Sequence, residues 1–366
     1  MRYIVIVVLS MLVLIGGGIY WFLQHPLWGA KPEGARLARI EQSPNYRDGQ
    51  FRNIVEVPMN TSDGSRWKGI YQFLFGDKSK LEANPIPTAS VKVDLKSIPR
   101  DEDMILWLGH STLYMQLSGQ RILIDPVLSD YASPLWFINK AFNGSHVYDA
   151  EDFPEIDVLI LSHDHYDHLD YPTMKALIPK TKRIVTPLGV GAHLERWGAK
   201  PEQLIEEDWN TTVPIDENLR IHVVPAQHFS GRFLTPNPTL WAGFVFETPK
   251  RKVYFGGDSG YGDFFKQIGT TYGPMDIAIL ENGQYNEDWS KIHSMPEEVA
   301  QIALDVQAKQ VVSVHNSKFV LARHEWQEPM ERLLAASEGK DYDYVTPMIG
   351  EVWNLDGEAP HNRWWK

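Results

Sequence analysis

The sequence predicts an α/β fold in which two β-sheets lie face to face and helices cover their outer sides. Short strand-like runs follow one another in quick succession, and helical patterns lie among and after them. The run Ile156-Asp157-Val158-Leu159-Ile160-Leu161 reads as a buried strand. A chain of 366 residues with 13 Trp, 15 Tyr and 15 Phe has the material for a large packed core.

From the N-terminus, Tyr3 to Leu23 is an uncharged apolar run long enough to span a bilayer as a helix, with Tyr20, Trp21 and Trp28 as interface aromatics. A cleaved signal peptide would have a shorter apolar region, and Trp28-Gly29-Ala30 is a poor cleavage site. Residues 1–24 are therefore expected to be an uncleaved membrane anchor that meets the bilayer through residues 3–23. The expected topology is a bacterial inner membrane with the main domain in the periplasm. Residues 25–100, rich in Pro, Gly and polar side chains, read as an irregular arm packing on a main domain at 101–366.

Within that domain, Ile105 to Leu108, Leu113 to Leu117 and Arg121 to Ile124 form a meander, with turns at Gly109-His110-Ser111 and Ser118-Gly119-Gln120. Further strands are expected at Ile156 to Leu161, Arg183 to Thr186, Leu219 to Val224, Trp241 to Glu247, Lys252 to Phe255, Asp276 to Leu280 and Val311 to Val314. Helices are expected at Val190 to Trp197, Pro296 to Val306 and Glu328 to Ser337. Ser294-Met295-Pro296-Glu297 reads as a capping box, with Ser294 accepting from a free N–H and Glu297 reaching back.

The strand at 156–161 runs into His163-Asp164-His165-Tyr166-Asp167-His168. Imidazoles and carboxylates at that density beside a buried strand need partners, and their mixture of nitrogen and oxygen donors suits a divalent metal of the zinc type. In an extended loop, residues two apart project to one side, so His163 and His165 can grip one ion while Asp164 points away. Asp167 and His168 fall where the loop turns, which favours a second ion beside the first. His228, Asp258 and His315 each lie just past a predicted strand, so one edge of the sheets would collect all of them. Gly256-Gly257 before Asp258 lets the backbone approach closely, as a shared carboxylate requires. Taken singly, each of these three has a bland reading as a turn or surface residue.

Composition narrows the partners. Lys plus Arg number 35 against 47 Asp plus Glu, a formal charge of -12, and no basic stripe is visible, so nucleic acid is not expected. There is no cysteine; a metal would have to be held by His and carboxylate. A homodimer is the assembly left open.

The order and content of these segments resemble the metallo-β-lactamase superfamily, and within it the N-acyl-phosphatidylethanolamine phospholipase D group. The matching segments are Leu108-Gly109-His110-Ser111-Thr112, Ile124-Asp125-Pro126, Ala132-Ser133-Pro134, the histidine-rich loop through Leu169-Asp170-Tyr171, Pro187-Leu188-Gly189, Gln227-His228, Gly257-Asp258-Ser259-Gly260-Tyr261 and Pro296-Glu297-Glu298. The resemblance implies an αββα four-layer sandwich holding two Zn2+ ions. By motif position, His163, His165 and His228 would hold the first ion, Asp167, His168 and His315 the second, and Asp258 would bridge them. It further implies a hydrolase acting on a membrane phospholipid, releasing phosphatidic acid and an N-acylethanolamine.

Departures from the group lie where substrate would be gripped: Phe137 to Gly144 in place of proline and basic residues, Ile292 in place of a glutamine before His293, and Asn316-Ser317-Lys318 in place of a Trp-Gly-Thr type. His293 is expected in the pocket, protonating a leaving alkoxide or binding a head group, though a histidine can also serve the start of the next helix. Asp125 orients a ligand histidine or caps a turn. His110 has the same two readings, and Tyr166 lines the pocket or packs beneath it. His193 and His222, within a helix and a strand, are read as ordinary. The alternatives are a metallo-hydrolase of lactones, carboxylic esters or β-lactams, a redox di-iron protein, which would carry a Glu in the cluster and a flavin domain, and a metal-loaded envelope protein without turnover.

Overall fold

The computed structural model describes residues 2–61, 71, 76, 80–89, 92–232 and 235–366. Helix α1 (Arg2–Leu23) comes first, and the rest of the protein leaves its apolar side chains uncovered, so it is a candidate transmembrane segment. A 3-10 turn at Pro26–Trp28 follows, then α2 (Gly34–Ile40) and a hairpin of β1 (Tyr46–Arg47) and β2 (Gln50–Phe51). The stretch expected as an irregular arm is thus partly regular. It also supplies core: Ile40, Phe51, Ala83 and Ile86 belong to the central apolar cluster. Residues 62–70, 72–75, 77–79, 90 and 91 of that expected arm lie outside the described residues. Trp28 sets its ring edge-on to Phe22 at 5.4 Å and to Tyr166 at 6.5 Å.

The main domain continues with β3 (Met104–Trp107), β4 (Leu113–Leu117), β5 (Gln120–Ile124), β6 (Ile156–Ile160), α3 (Tyr171–Leu177), β7 (Thr181–Pro187), α4 (Gly191–Arg196), β8 (Leu204–Glu207) and β9 (Thr211–Pro214). Then come β10 (Arg220–Val224), β11 (Gly243–Glu247), β12 (Lys252–Phe255), α5 (Phe264–Tyr272), β13 (Met275–Glu281), α6 (Pro296–Asp305), β14 (Ala308–Val314), α7 (Glu328–Ser337), β15 (Asp343–Val345) and β16 (Val352–Asn354).

These strands build two sheets of matching plan, β16-β3-β4-β5-β6-β7-β8 and β15-β14-β13-β12-β11-β10-β9. In the first, pairing is antiparallel from β16 to β5 and parallel from β5 to β8. In the second, it is antiparallel from β9 to β12 and parallel from β12 to β15. Strand alternation sorts the side chains into layers. Ile105 and Trp107 of β3, Ile122 and Ile124 of β5, Phe244 and Phe246 of β11 and Ile277 and Ile279 of β13 meet between the sheets. Their alternates face outward: Leu106, Leu123 and Leu159 pack under α3 and α4, and Val245, Tyr254 and Ala278 under α5, α6 and α7. The result is the αββα sandwich, with both faces of each sheet buried, which is why the central strands read as continuous apolar runs.

Sequence reading missed β8, β9, β15, β16 and α5. The four strands are short and lie at or near sheet edges, and α5 contains Gly269 and two threonines, so intrinsic propensity argued against a helix that burial of Phe264, Phe265 and Ile268 imposes. The capping box is also corrected. Met295, not Ser294, precedes the first turn of α6, and its N–H donates to Glu298 Oε2 at 2.9 Å rather than to Glu297. Ser294 is used elsewhere: its hydroxyl donates to Ser259 O at 2.7 Å and its N–H to Glu281 Oε1 at 2.9 Å.

Candidate metal centre

The C-terminal ends of β6, β10, β12 and β14 reach one edge of the sandwich, and each delivers metal-binding side chains there within a few residues of its last hydrogen-bonded position. The approach is tight. Gly257 has φ +62, and a Cβ there would stand 2.8 Å from Ala242 O and 3.2 Å from Ser162 Cβ, so only glycine lets the β12 loop lie against the β6 loop. His315 (φ 65), His110 (φ 51) and Asp125 (φ 40) also adopt left-handed backbone, an unfavourable state for these residues that the surroundings enforce. For His315 the enforcing contacts are its N–H donating to His110 O at 2.9 Å and His110 N–H donating to Asn316 O at 2.8 Å, a clasp between the two sheets.

Two constellations result. His163 Nε2 and His228 Nε2 lie 2.9 Å and 3.2 Å from His165 Nδ1, and both are 3.8 Å from Asp258 Oδ2. Beside them, Asp167 Oδ2 is 3.4 Å from His168 Nε2 and 3.3 Å from His315 Nε2, and those two nitrogens are each 3.1 Å from the same Asp258 Oδ2. One carboxylate oxygen therefore belongs to both groups. All seven residues singled out by spacing come together.

Tautomers are fixed from outside. Ser162 Oγ donates to Asp125 Oδ2 at 2.5 Å, so at 2.9 Å it accepts from His163 Nδ1–H. His228 Nδ1–H donates to Ile292 O at 2.9 Å, and His168 Nδ1–H to Asp125 Oδ2 at 2.8 Å. Each of these imidazoles thus turns its Nε2 inward. Asp125 accordingly orients His168, and His110 Nε2 holds Asp167 Oδ2 at 2.8 Å. The Ile292 departure leaves the centre intact because that residue serves through its backbone carbonyl.

The donors fit a divalent metal. Within the cluster, buried His168 Nε2 and Asp258 Oδ1 have no hydrogen-bond partner, orphaned polar atoms that a bound cation would satisfy. Burial, with neighbouring imidazoles, holds His163 and His228 well below the usual histidine range, the neutral state that ligation needs. Burial works against ionising Asp167 and Asp258, but the surrounding imidazoles outweigh it and keep both well below the usual carboxylate range. His168 is held well above its usual value: burial opposes its charge, and Asp258 and Asp167 prevail. That surplus of negative charge is what a cation would balance.

A pocket of about 330 Å³ opens onto the cluster, lined by His165, Asp167, Asp258 and His315 together with His293, Phe229, Trp289 and Leu321. His293 stacks on His315 at 5.2 Å, and its Nδ1 lies 2.8 Å from Glu281 Oε2. Burial disfavours the imidazolium, but Glu281 more than offsets it, and the His293 pKa is raised. Glu281 was missed by sequence reading; its signal is a carboxylate ending the apolar strand β13. Tyr166 does not line this pocket; the Arg232 guanidinium stands 4.0 Å over its ring, and it lines a separate cavity with His25 and Trp136. His193 and His222 sit away from the cluster, bonded to Asp164 and to Thr212 and Glu247.

A four-layer sandwich with clustered His and Asp donors at one sheet edge and a pocket above them defines the metal-dependent hydrolase class. The chain belongs to the metallo-β-lactamase superfamily: residues 120–316 match the family described as a β-lactamase superfamily domain. A Mycobacterium tuberculosis protein that is uncharacterised is 40% identical over 342 residues, 91% of each chain. The outer membrane protein RomA of Klebsiella pneumoniae is 56% identical over 103 residues, 28% of this chain and 78% of that one. An N-acyl-phosphatidylethanolamine-hydrolyzing phospholipase D of Caenorhabditis elegans is 32% identical over 265 residues, 68% of this chain and 74% of its own. Among solved structures, the metallo hydrolase Igni18 of Ignicoccus hospitalis shares the fold, with a TM-score of 0.52 and 19% identity over 69% of this chain and 97% of that one.

Proposed function

We propose that this chain is a membrane-anchored dinuclear zinc hydrolase that cleaves the phosphodiester of an N-acylphosphatidylethanolamine-type phospholipid, giving phosphatidic acid and an N-acylethanolamine. The observation that carries the two-metal reading is Asp258 Oδ2, placed 3.1 Å from His168 and His315 and 3.8 Å from His163 and His228. The Caenorhabditis relative, which hydrolyses such lipids by its name, supports the substrate class. His163, His165, His228 and Asp258 would hold one ion, and Asp167, His168, His315 and Asp258 the other. Bound there, zinc supplies Lewis acidity, which acidifies water and offsets negative charge on phosphoryl oxygens.

The chain's own groups do the rest. Asp125, Ser162 and the Ile292 carbonyl keep the imidazoles pointed inward, and His110 steadies Asp167. Glu281 accepts from His293 Nδ1–H, so His293 Nε2 is the edge that handles a substrate proton, donating it to the leaving alkoxide when the ring is charged. Phe229, Trp289 and Leu321 give the pocket the apolar wall that a lipid requires. Helix α1 keeps the domain beside its substrate. We read α1 as a span of a bacterial inner membrane with the domain on its periplasmic side, a reading supported by α1 being helical where outer-membrane spans are typically barrels.

The deciding experiment is Asp258→Ala, measured for zinc content and for hydrolysis of N-acylphosphatidylethanolamine beside lactone, carboxylic ester and β-lactam substrates. Loss of both metal and phospholipid turnover is expected. A variant that keeps two zincs and full activity would overturn the bridging role, and a wild type that turns over only the lactone or β-lactam would overturn the substrate.

A further inference from the structure

We propose that the loop bearing Trp136 and Phe137 is a second membrane contact, an aromatic wedge that enters the boundary between head groups and acyl chains of the bilayer crossed by α1 and holds the pocket mouth against it. The proposal rests on α1 being a membrane span. Trp136 and Phe137 are 75% and 64% exposed, and their rings stand edge to face with centroids 5.5 Å apart. Two large adjacent aromatics left in solvent mark an interaction surface.

Their position selects a bilayer. A cavity of about 330 Å³ is lined by Trp136, Pro134 and Tyr131 on one side and by His25 and Leu27 on the other. His25 is two residues past the end of α1 at Leu23, so at roughly 3.5 Å per residue it lies within about 7 Å of the helix end. The polar layer on each side of the hydrocarbon is itself roughly 5–8 Å thick. Trp136 therefore stands beside the level at which the chain leaves the membrane.

The exit segment is fastened to the domain. Gln24 O accepts from Arg196 Nη2 at 2.7 Å, Pro26 O from Trp197 Nε1 at 2.7 Å and Leu27 O from Arg232 Nη2 at 3.0 Å. A domain held so closely presents the same face to the bilayer each time. Phe137 lines a second groove with Ile138, Lys140, Leu321 and Arg323, and Leu321 also lines the pocket over the metal-ligand cluster. The wedge thus sits between the anchor's exit and the reactive mouth. Indole is favoured at the head-group level, and the exposed Lys140 cation matches lipid phosphates. A chain of formal charge -12 cannot rely on general attraction to anionic lipid, which leaves apolar insertion as the holding force.

The chain has no cysteine, so single introduced cysteines carry a nitroxide label uniquely. In full-length protein reconstituted in phosphatidylcholine nanodiscs, labels at F137C and W136C are compared with labels at E217C and L14C for collision with oxygen and with a water-soluble nickel complex. Glu217 lies in the turn before β10, at the sheet edge opposite His228, and serves as the aqueous reference. The expected result is an oxygen-to-nickel ratio at 136 and 137 several-fold above that at 217 and below that at 14. Equality with position 217 while 14 is lipid-buried overturns the wedge alone. Protection from both reagents means a protein contact and also overturns it. An aqueous reading at position 14 overturns the anchor and the wedge with it. None of these readouts depends on turnover, so failure of the phospholipase reading remains distinguishable.

Discussion

Asp258 and Glu281 are both buried carboxylates at strand ends on the same edge, yet they face different tasks. Asp258 turns one oxygen to four imidazoles, whereas Glu281 spends its two on His293 Nδ1 and the Ser294 N–H. Four of the seven metal-ligand candidates, His163, His165, Asp167 and His168, were legible because ligation puts rare residue types at short spacing; His228, Asp258 and His315 were legible only through their places just past strands and the family resemblance. Glu281 was not, because its partner is twelve residues away and only the return of the chain through Ile292 brings them together. His293→Ala and Glu281→Gln are therefore expected to lower turnover by about 10²- to 10⁴-fold and by a smaller factor, respectively, the range of a positioned acid, with zinc content unchanged by metal analysis. Zinc loss in His293→Ala would instead make that residue a ligand. A carboxylate far from the centre tests stability. Asp157 accepts from Lys182 Nζ at 2.8 Å, Arg100 Nη1 at 2.7 Å and the Arg121 N–H at 3.0 Å. Burial alone would raise its pKa, but these donors outweigh it and the value is lowered. A lowered folded-state pKa gives stability that is complete above the unfolded value of about 3.9 and lost as pH falls through the folded one. Asp157→Asn should cost about 1–3 kcal/mol at pH 7 in thermal unfolding, with the gap to wild type closing as pH drops below about 4.

At the scale of elements, the strands that sequence reading found are those buried on both faces, β3 to β7 and β10 to β14, where long apolar runs leave one interpretation. The strands it missed border solvent, and their three or four residues carry too little pattern to separate them from loop. Helix α5 was hidden for another reason. Gly269 weakens it as an isolated helix, but a Cβ there would stand 2.0 Å from Asp305 O, the backbone at the end of α6. The residue that costs local propensity is the one that allows α5 to pack against α6. Gly269→Ala should therefore act against the usual direction for a helix interior, where alanine stabilises by about 1 kcal/mol. Because the opposing atom is backbone and cannot rotate aside, the expected loss is about 1–3 kcal/mol, read as a lowered Tm with metal content unchanged. An unchanged or raised Tm would show that the two helices part without penalty.

At the scale of the molecule, the proposed membrane attachment rests on α1, whose apolar side chains the rest of the protein leaves uncovered. Its 22 residues span about 33 Å at 1.5 Å per residue, close to the thickness of a hydrocarbon core. Among the described residues outside α1, the exposed large apolar side chains are Ile54, Val55, Met59, Tyr71, Trp136 and Phe137, on a chain with a formal charge of -12. A single weak apolar signal gives only marginal, reversible binding, and stable attachment takes a second one. Removing residues 1–24 is thus expected to move the protein to the soluble fraction on detergent-free centrifugation. The fold should survive the cut, because the bonds from Trp197 to Pro26 O, from Arg232 to Leu27 O and from Ala30 N–H to His193 Nδ1 all lie beyond it. On the proposed function, the truncated protein should keep the metal content of the full chain and turn over lipid dispersed in detergent. It should be much slower on lipid presented in sealed vesicles, where the proposed anchor would supply the local concentration. If the truncated protein instead sediments with membranes in high salt, apolar contacts of the domain suffice for attachment, and α1 serves some purpose other than holding it there.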